Sequence, residues 1–165
     1  KFARDFPDMI TRYEGKIEAL TKTAKGKDAF DVTMFSPEGK LCKLSDYFGK
    51  FLYIDVWATW CGPCCAEIPY LEKLVAHFKG DDRVRFISIS VDANKKAWLD
   101  KLEKDKPEWS QFILSSKDAA TFQEAWGISG IPRFIMIDKN GKIFEADAMR
   151  PSDEGIIEFI EEQIK

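Results

Sequence analysis

Two cysteines, Cys61 and Cys64, are the residues of this sequence whose spacing most clearly permits chemistry. An apolar run over residues 51–57 ends just before them, and an amphipathic helical pattern begins at Gly62. The cysteines are therefore predicted at a helix N-terminus, where unpaired N–H groups and the helix dipole favour negative charge. Such a position lowers the pKa of a thiol and favours the nucleophilic thiolate. Because the two sulfurs lie in one helical turn, the pattern predicts a thiol–disulfide switch with Cys61 exposed and Cys64 behind it.

The same two cysteines could instead form half of a structural zinc site. Such a site needs two further ligands in tetrahedral geometry, and the candidates are Cys42, Cys65 and His77. The sequence contains no second CxxC or HxxxH pair, so we favour the redox interpretation and predict no metal. Cys65 is interpreted as a buried inert thiol, a partner for Cys42, or a spare exposed thiol. Cys42 is otherwise a small apolar residue, and His77 a surface or helix-end residue.

The elements that must position the switch follow from the hydrophobic periodicity on either side of it. The predicted elements, in chain order, are a hairpin over residues 30–44, the strand 51–57, a helix 62–78 kinked at Pro69, a strand 84–91, a helical insertion 92–110 capped by Asp92 or Asn94, a strand 111–114, a helix 117–126, a hairpin around Asn140-Gly141 and a helix 152–164. Together they predict an α/β fold with a mixed central sheet and helices on both of its faces.

Composition limits the kind of protein that this can be. The chain has 165 residues and a formal net charge of −3 from 25 basic and 28 acidic residues. A balance of that kind argues against nucleic acid and anionic membranes as partners. No apolar run reaches the ~18 residues that a membrane-spanning helix needs. Because the first residue is Lys1 rather than Met, we expect a processed chain or a fragment of a longer one.

Residues 1–28 form a separate stretch before the predicted sheet. Apolar residues recur in it at helical spacing: Phe2, Phe6, Met9 or Ile10, Tyr13, Ile17 and Leu20. The spacing predicts an amphipathic helix over residues 7–21, followed by a polar linker to residue 28. This helix could pack on the flank of the domain, connect it to a preceding domain, or form a dimer. We therefore divide the chain into a connector, residues 1–28, and a domain, residues 29–165.

Two segments resemble a known family. Tyr53-Ile54-Asp55-Val56-Trp57-Ala58-Thr59-Trp60-Cys61-Gly62-Pro63-Cys64 resembles the active-site segment of thioredoxin, and Trp126-Gly127-Ile128-Ser129-Gly130-Ile131-Pro132 resembles the cis-proline loop of that family. Two motifs in this order are more specific than a lone CxxC. The early hairpin and the insertion after the second core strand resemble the TlpA/ResA-like branch. The resemblance implies a thioredoxin-like three-layer sandwich with an N-terminal β-hairpin and a helical insertion.

The resemblance also implies catalytic roles. Cys61 would attack a substrate disulfide, and Cys64 would resolve the mixed disulfide that results. Asp55, an acid within an apolar strand, matches the buried aspartate thought to accept the proton of the resolving thiol, and its burial is expected to raise its pKa. The lysine that accompanies this aspartate in thioredoxin has no match, because Ser88 stands at its position.

Substrate binding is assigned by the same resemblance. The bond between Ile131 and Pro132 is predicted to be cis, with the backbone of Ile131 pairing with an extended substrate segment. Trp60 is expected to form part of the docking surface, beside Gly62 and Pro63. Where the family usually has threonine after the proline, this chain has Arg133, which suggests a preference for acidic substrates.

The sequence thus predicts a thiol–disulfide oxidoreductase that reduces protein disulfides. The Gly62-Pro63 dipeptide of reducing thioredoxins favours that direction. The chemistry would need no dissociable cofactor, since an upstream dithiol protein would supply electrons to the Cys61–Cys64 pair. The branch resemblance places the protein in the periplasm or another extracytoplasmic compartment, with a lipoprotein anchor in a missing N-terminal part as one arrangement. The alternatives are a disulfide oxidase or isomerase on the same scaffold, a peroxiredoxin-like peroxidase, and a non-catalytic binding module of a larger lipoprotein.

Overall fold

The computed structural model describes residues 2–165, except for the side chains of residues 2–8 and 19. Its helices and strands are α1 (Phe2–Lys22), β1 (Thr33–Phe35), β2 (Leu41–Lys43), β3 (Phe51–Trp57), α2 (Gly62–His77), β4 (Val84–Ser90), α3 (Lys95–Asp105), β5 (Ser110–Ile113), α4 (Ser116–Ala125), β6 (Arg133–Ile137), β7 (Ile143–Glu145) and α5 (Ile156–Gln163). A short 3₁₀ turn, Leu44–Tyr47, leads from the first hairpin towards β3.

The strands form one mixed sheet in the order β2-β1-β5-β4-β3-β6-β7. β3, β4 and β5 run parallel, while β6 pairs antiparallel with β3. All seven residues of β3 are buried, as expected for a strand covered on both faces. The predicted fold class, an α/β sandwich with an N-terminal hairpin and a helical insertion, is confirmed.

Alternate side chains of β3 point into two different cores. Leu52, Ile54 and Val56 pack in the cluster that includes Phe122 of α4. Phe51 and Tyr53 pack in the cluster that α2 and α5 share, on the opposite face. Because side chains alternate along a strand, Asp55 and Trp57 must lie on this second face, beneath α2. The strand thus places its one carboxylate on the side of the sheet where the helix that carries Cys64 lies.

Helix α1 is longer than the helix predicted over residues 7–21, and its apolar stripe is exposed. Its apolar side chains at positions 9, 10, 13, 17 and 20 are between 44% and 71% exposed. The interpretation that this stripe packs on the flank of the domain is therefore wrong. Phe2 and Phe6, which belong to the same predicted stripe, lie outside the residues whose side chains are described. A connector or a dimer-forming helix stays a prediction.

The segment between α1 and β1 is attached to the sheet. Gly26 N donates to Ile143 O at 2.8 Å, and Ile143 N donates to Lys27 O at 2.8 Å. Ala29 N donates to Gly141 O at 3.0 Å. Part of the polar stretch interpreted as a linker therefore lies along the outer edge of β7. The division of the chain after residue 28 stays a prediction.

The predicted hairpin at Asn140-Gly141 is present, and two features of the structure require glycine at position 141. Gly141 has a φ of +74°, which favours glycine over other residues. A Cβ at this position would also lie 2.9 Å from Cδ2 of Phe48. The turn therefore requires glycine for its backbone conformation and for its close approach to the aromatic ring.

Candidate active site

Cys61 and Cys64 are joined by a disulfide whose Cα atoms are 5.2 Å apart. Cys61 is the N-cap residue of α2, and its Sγ accepts a hydrogen bond from Cys64 N at 3.2 Å. Pro63 lies in the first turn, where its missing N–H costs no helical hydrogen bond. The predicted position of the two cysteines at a helix N-terminus is confirmed. After reduction, the same N–H group would stabilise a thiolate on Cys61.

The disulfide is buried, so the prediction that Cys61 is exposed is wrong for this state. Cys61 is 5% exposed and Cys64 is 3% exposed. Both belong to an apolar cluster with Trp57 of β3 and Ile113 of β5. The neighbouring Trp60 is 70% exposed, and Gly62 and Pro63 are also exposed. The disulfide is therefore packed among apolar side chains, and exposed residues lie directly beside it in sequence.

The second motif lies against the first. The bond between Ile131 and Pro132 is cis, and the carbonyl oxygen of Ile131 is 3.7 Å from Sγ of Cys61. Seventy positions separate these two residues along the chain. The start of β6, which pairs with the end of β3, brings the loop to the disulfide: Arg133, directly after Pro132, pairs with Val56.

The side chain of Arg133 is occupied by contacts within the domain. Its guanidinium group donates to Ala146 O at 3.2 Å and to Gly127 O at 3.4 Å, and it lies 3.5 Å from a carboxylate oxygen of Asp147. The side chain is 15% exposed. These contacts occupy most of the donors of Arg133, so the suggested preference for acidic substrates finds no support in the structure.

Asp55 lies in β3, six positions before Cys61, and is 6% exposed. Burial raises the pKa of its carboxyl group to about 7, and the nearby charge of Glu67 adds to the increase. Ser88 Oγ opposes it by donating a hydrogen bond to Oδ2 at 3.0 Å. Ser88 in turn accepts from Trp109 Nε1 at 2.8 Å. Asp55 is thus a buried carboxyl group that exchanges a proton near neutral pH, as a proton acceptor in the site would have to do.

Asp92 is a site residue whose contact the sequence did not reveal. It is 3% exposed and follows the end of β4, where it was considered only as a helix cap. Asn94 caps α3 instead, through a bond from Ala97 N. The carboxylate of Asp92 accepts from Thr59 N at 3.0 Å and from Thr59 Oγ1 at 2.7 Å. It therefore holds the backbone two positions before Cys61.

The position of Asp92 directly after a predicted strand could have identified it as a site residue. Parallel strands end at the same edge of a sheet, and functional residues gather there. β4 runs parallel to β3, so an acid just after β4 is expected beside the loop that follows β3. Its second partner, Ser90 Oγ, donates to Oδ2 at 2.5 Å.

The other cysteines and the histidine lie outside the switch. Cys42 and Cys65 are free thiols, and each donates to a backbone carbonyl oxygen at 3.6 Å, of Met34 and Thr59 respectively. A disulfide between them is therefore not formed. Burial raises the pKa of the Cys42 thiol, which keeps it protonated. His77 pairs with Glu161 on the surface at 2.7 Å. Among the described residues, no group of three His, Cys, Asp or Glu side chains is placed to hold a metal ion.

Comparisons with known proteins agree with this geometry. Residues 24–156 match the family model described as Redoxin. The chain is similar to the thiol-disulfide oxidoreductase ResA of Bacillus cereus, with 26% identity over 151 residues, which cover 92% of this chain and 85% of that protein.

Solved structures are similar over the domain. A Bacteroides vulgatus protein assigned as a thiol-disulfide oxidoreductase superposes with a TM-score of 0.79 and 42% identity, over 86% of this chain and 98% of that one. The thioredoxin domain of another thiol-disulfide oxidoreductase from Bacteroides vulgatus gives a TM-score of 0.77 and 30% identity, over 86% of this chain and 99% of that one.

Proposed function

We infer the function from one premise: the chain belongs to the Redoxin family, as a TlpA/ResA-like thiol–disulfide oxidoreductase of the thioredoxin superfamily. From that premise we propose that it reduces disulfides in protein substrates. The observation that supports this most is the Cys61–Cys64 disulfide at the start of α2, with the carbonyl oxygen of Ile131 3.7 Å from Sγ of Cys61.

The proposed reaction proceeds in two exchanges. The thiolate of reduced Cys61 attacks a sulfur of the substrate disulfide, which forms a mixed disulfide and releases the other substrate sulfur as a thiolate. Cys64 then attacks the sulfur of Cys61, which releases the second substrate sulfur and forms the Cys61–Cys64 disulfide. Two electrons have passed to the substrate. The two sulfurs carry them, so the reaction needs no dissociable cofactor, and a dithiol protein must reduce the pair again.

Asp55 is proposed to accept the proton of Cys64 during the second exchange. Its raised pKa, about 7, lets it take up and release a proton under neutral conditions. Ser88, rather than a lysine, lies beside Asp55 on β4.

Substrate docking is proposed at the exposed rim of the disulfide. Trp60, Gly62 and Pro63 are exposed there, and Trp60 offers a broad apolar contact. The backbone of Ile131, directly before β6, would pair with a substrate segment in the manner of an added strand. A disulfide exposed in such a segment would then lie over Cys61.

The compartment and the attachment of the chain are part of the proposal. Resemblance to the TlpA/ResA-like branch supports an extracytoplasmic location, with residues 1–28 as a connector between this domain and a lipoprotein-anchored part of a longer chain. Among the helices of residues 2–165, none combines the length and the apolar character required to cross a membrane.

The direction of electron flow is tested by the reduction potential of the pair. Cys42 and Cys65 are first replaced by alanine, so that only Cys61 and Cys64 titrate, and tryptophan fluorescence is followed in dithiol redox buffers. Trp57 reports on the switch because it packs in the same cluster. We expect a two-electron transition near the thioredoxin value of about −270 mV or lower. The same background with Cys61→Ser should show no transition.

Two outcomes would contradict the reductase. A potential near the DsbA value of about −120 mV would favour the oxidase alternative. The absence of a reversible transition would favour the non-catalytic module. A separate Cys64→Ser variant should accumulate a mixed disulfide with a protein substrate, whereas Cys61→Ser should not.

A further inference from the structure

Helix α1 carries a seam of apolar side chains that the described part of the domain does not cover. Its members are between 44% and 71% exposed: Met9, Ile10, Tyr13, Ile17 and Leu20. The other described side chains of residues 9–22 are exposed as well. An amphipathic helix gains most of its stability by packing its apolar face against another surface. This seam is therefore open to a partner from outside the domain.

The seam follows a heptad repeat, in which the positions called a and d face a partner helix. Ile10 and Ile17 occupy a, and Tyr13 and Leu20 occupy d. In the sequence, Phe6 takes the preceding d position. Isoleucine at a with leucine at d favours two parallel helices over larger assemblies. The pattern therefore favours a pair of helices.

The charges beside the seam distinguish the two directions in which such a pair could run. Glu14 occupies position e, on one flank of the seam, and Lys16 occupies position g, on the other. In a parallel pair of identical helices, the e flank of one lies along the g flank of the other, so acid and base come together on both sides. In an antiparallel pair with the same overlap, e faces e and g faces g, which brings like charges together. The charge pattern therefore favours the parallel pair.

We propose that α1 binds the α1 of a second copy of this chain and forms a parallel two-helix coiled coil. The outer face of the helix has charges of both signs, with Arg12 and Lys22 beside Glu18, and Lys22 pairs with Glu18 at 2.9 Å. A helix that lies on an anionic membrane surface instead has a polar face rich in lysine and arginine. The second copy therefore fits this helix better than a membrane surface does. The inference does not depend on the proposed function.

The connection between α1 and the sheet determines where the two domains lie. Only residues 23–25 separate the end of α1 from Gly26, whose N–H group donates to Ile143 O beside β7 at 2.8 Å. In a parallel pair, both chains leave the coiled coil at the same end. The short connection then keeps both domains at that end, so one dimer carries two Cys61–Cys64 disulfides side by side.

Sedimentation equilibrium over a series of protein concentrations tests the association. Ile17→Glu places a charge in the middle of the seam, and because glutamate favours a helix at least as well as isoleucine does, the helix itself is not weakened. The matched control is Leu41→Glu, which makes a similar exchange at an apolar residue of β2 that is 60% exposed.

We expect the unmodified chain to dimerise reversibly, with a dissociation constant on the order of 10 µM, because so few heptads form a small interface. Ile17→Glu should weaken the dimer by about ten-fold or more, since two charges would meet at one a layer. Leu41→Glu should leave it unchanged. A monomeric unmodified chain, or equal association of the Ile17→Glu and Leu41→Glu variants, would overturn the proposal. A chain that stays monomeric but binds vesicles of anionic phospholipid through Ile17 would make the membrane surface the partner and also overturn it.

Cross-linking tests the direction of the pair. Cys42 and Cys65 are replaced by alanine, and Leu20→Cys is introduced, because identical d positions meet across a parallel pair within reach of a disulfide. Lys22→Cys, at an outward position, is the control. In a glutathione buffer, Leu20→Cys should give a covalent dimer and the control should not. An antiparallel pair places residue 20 opposite residue 10, so equal cross-linking of the two variants, or none in Leu20→Cys, would contradict the parallel arrangement.

Discussion

Replacing Asp55 with asparagine should make the protein more stable at high pH and leave it almost unchanged at low pH. Burial raises the pKa of Asp55 from 3.8 to about 7 in the folded chain. Between these values the folded chain holds a proton that the unfolded chain has lost, so unfolding releases a proton and stability falls as the pH rises. A shift of about 3 units corresponds to a penalty of about 4 kcal/mol, which is complete above pH ~7 and absent below pH ~4.

An asparagine side chain cannot ionise, and its oxygen can still accept the hydrogen bond from Ser88. We therefore expect Asp55→Asn to raise the free energy of unfolding by up to about 4 kcal/mol at pH 8 and by almost nothing at pH 4. Guanidinium unfolding of the disulfide form, followed by fluorescence at half-unit steps of pH, measures the difference. Glu72→Gln, which removes an exposed carboxylate from α2, is the control and should stay within about 0.5 kcal/mol at every pH. A stability gain that does not depend on pH, or a loss of stability at pH 8, would refute the claim that ionisation of the buried Asp55 destabilises the folded chain.

Two further substitutions test contacts around the site and the sheet. Asp92→Asn should lower the free energy of unfolding by about 1.5–3 kcal/mol in denaturant titrations, because an amide cannot accept from all the donors of Thr59 and Ser90; a loss below about 0.5 kcal/mol would contradict this account. Gly141→Ala should cost about 1–3 kcal/mol more than Gly39→Ala, since both glycines have positive φ but only the first meets Phe48. Equal losses in the two variants would show that the ring contact is unimportant.

Local patterns were sufficient to predict most of the architecture. The apolar run of β3, interrupted only by Asp55, and the helical spacing after Gly62 are visible within short windows, so the positions of Cys61 and Cys64 followed directly. Asp55 could be singled out because a carboxylate is unusual inside such a run. The signals that identified these residues lie in their immediate neighbours in sequence.

What the sequence could not provide depends on distant contacts. Thr59 is bound by Asp92, 33 positions later, and Asp55 meets Ser88 only through the register of β3 and β4. The burial of Cys61 likewise requires the loop at Ile131. The packing of helix α1 could not be predicted either, because amphipathic spacing identifies an apolar face but not the surface that covers it.

The two edges of the sheet bear on how a protein that we propose binds extended substrate segments avoids strand pairing with its own copies. Residues 26–29 already occupy the outer side of β7. The opposite edge, β2, is only three residues long, and the exposed Lys43 lies within it. Short, charged or covered edges discourage intermolecular strand pairing and aggregation. If substrate segments pair with the loop at Ile131 as proposed, the two edges of the sheet offer little opportunity for strand pairing between copies of the chain, so we do not expect the sheet edges to drive aggregation at high concentration.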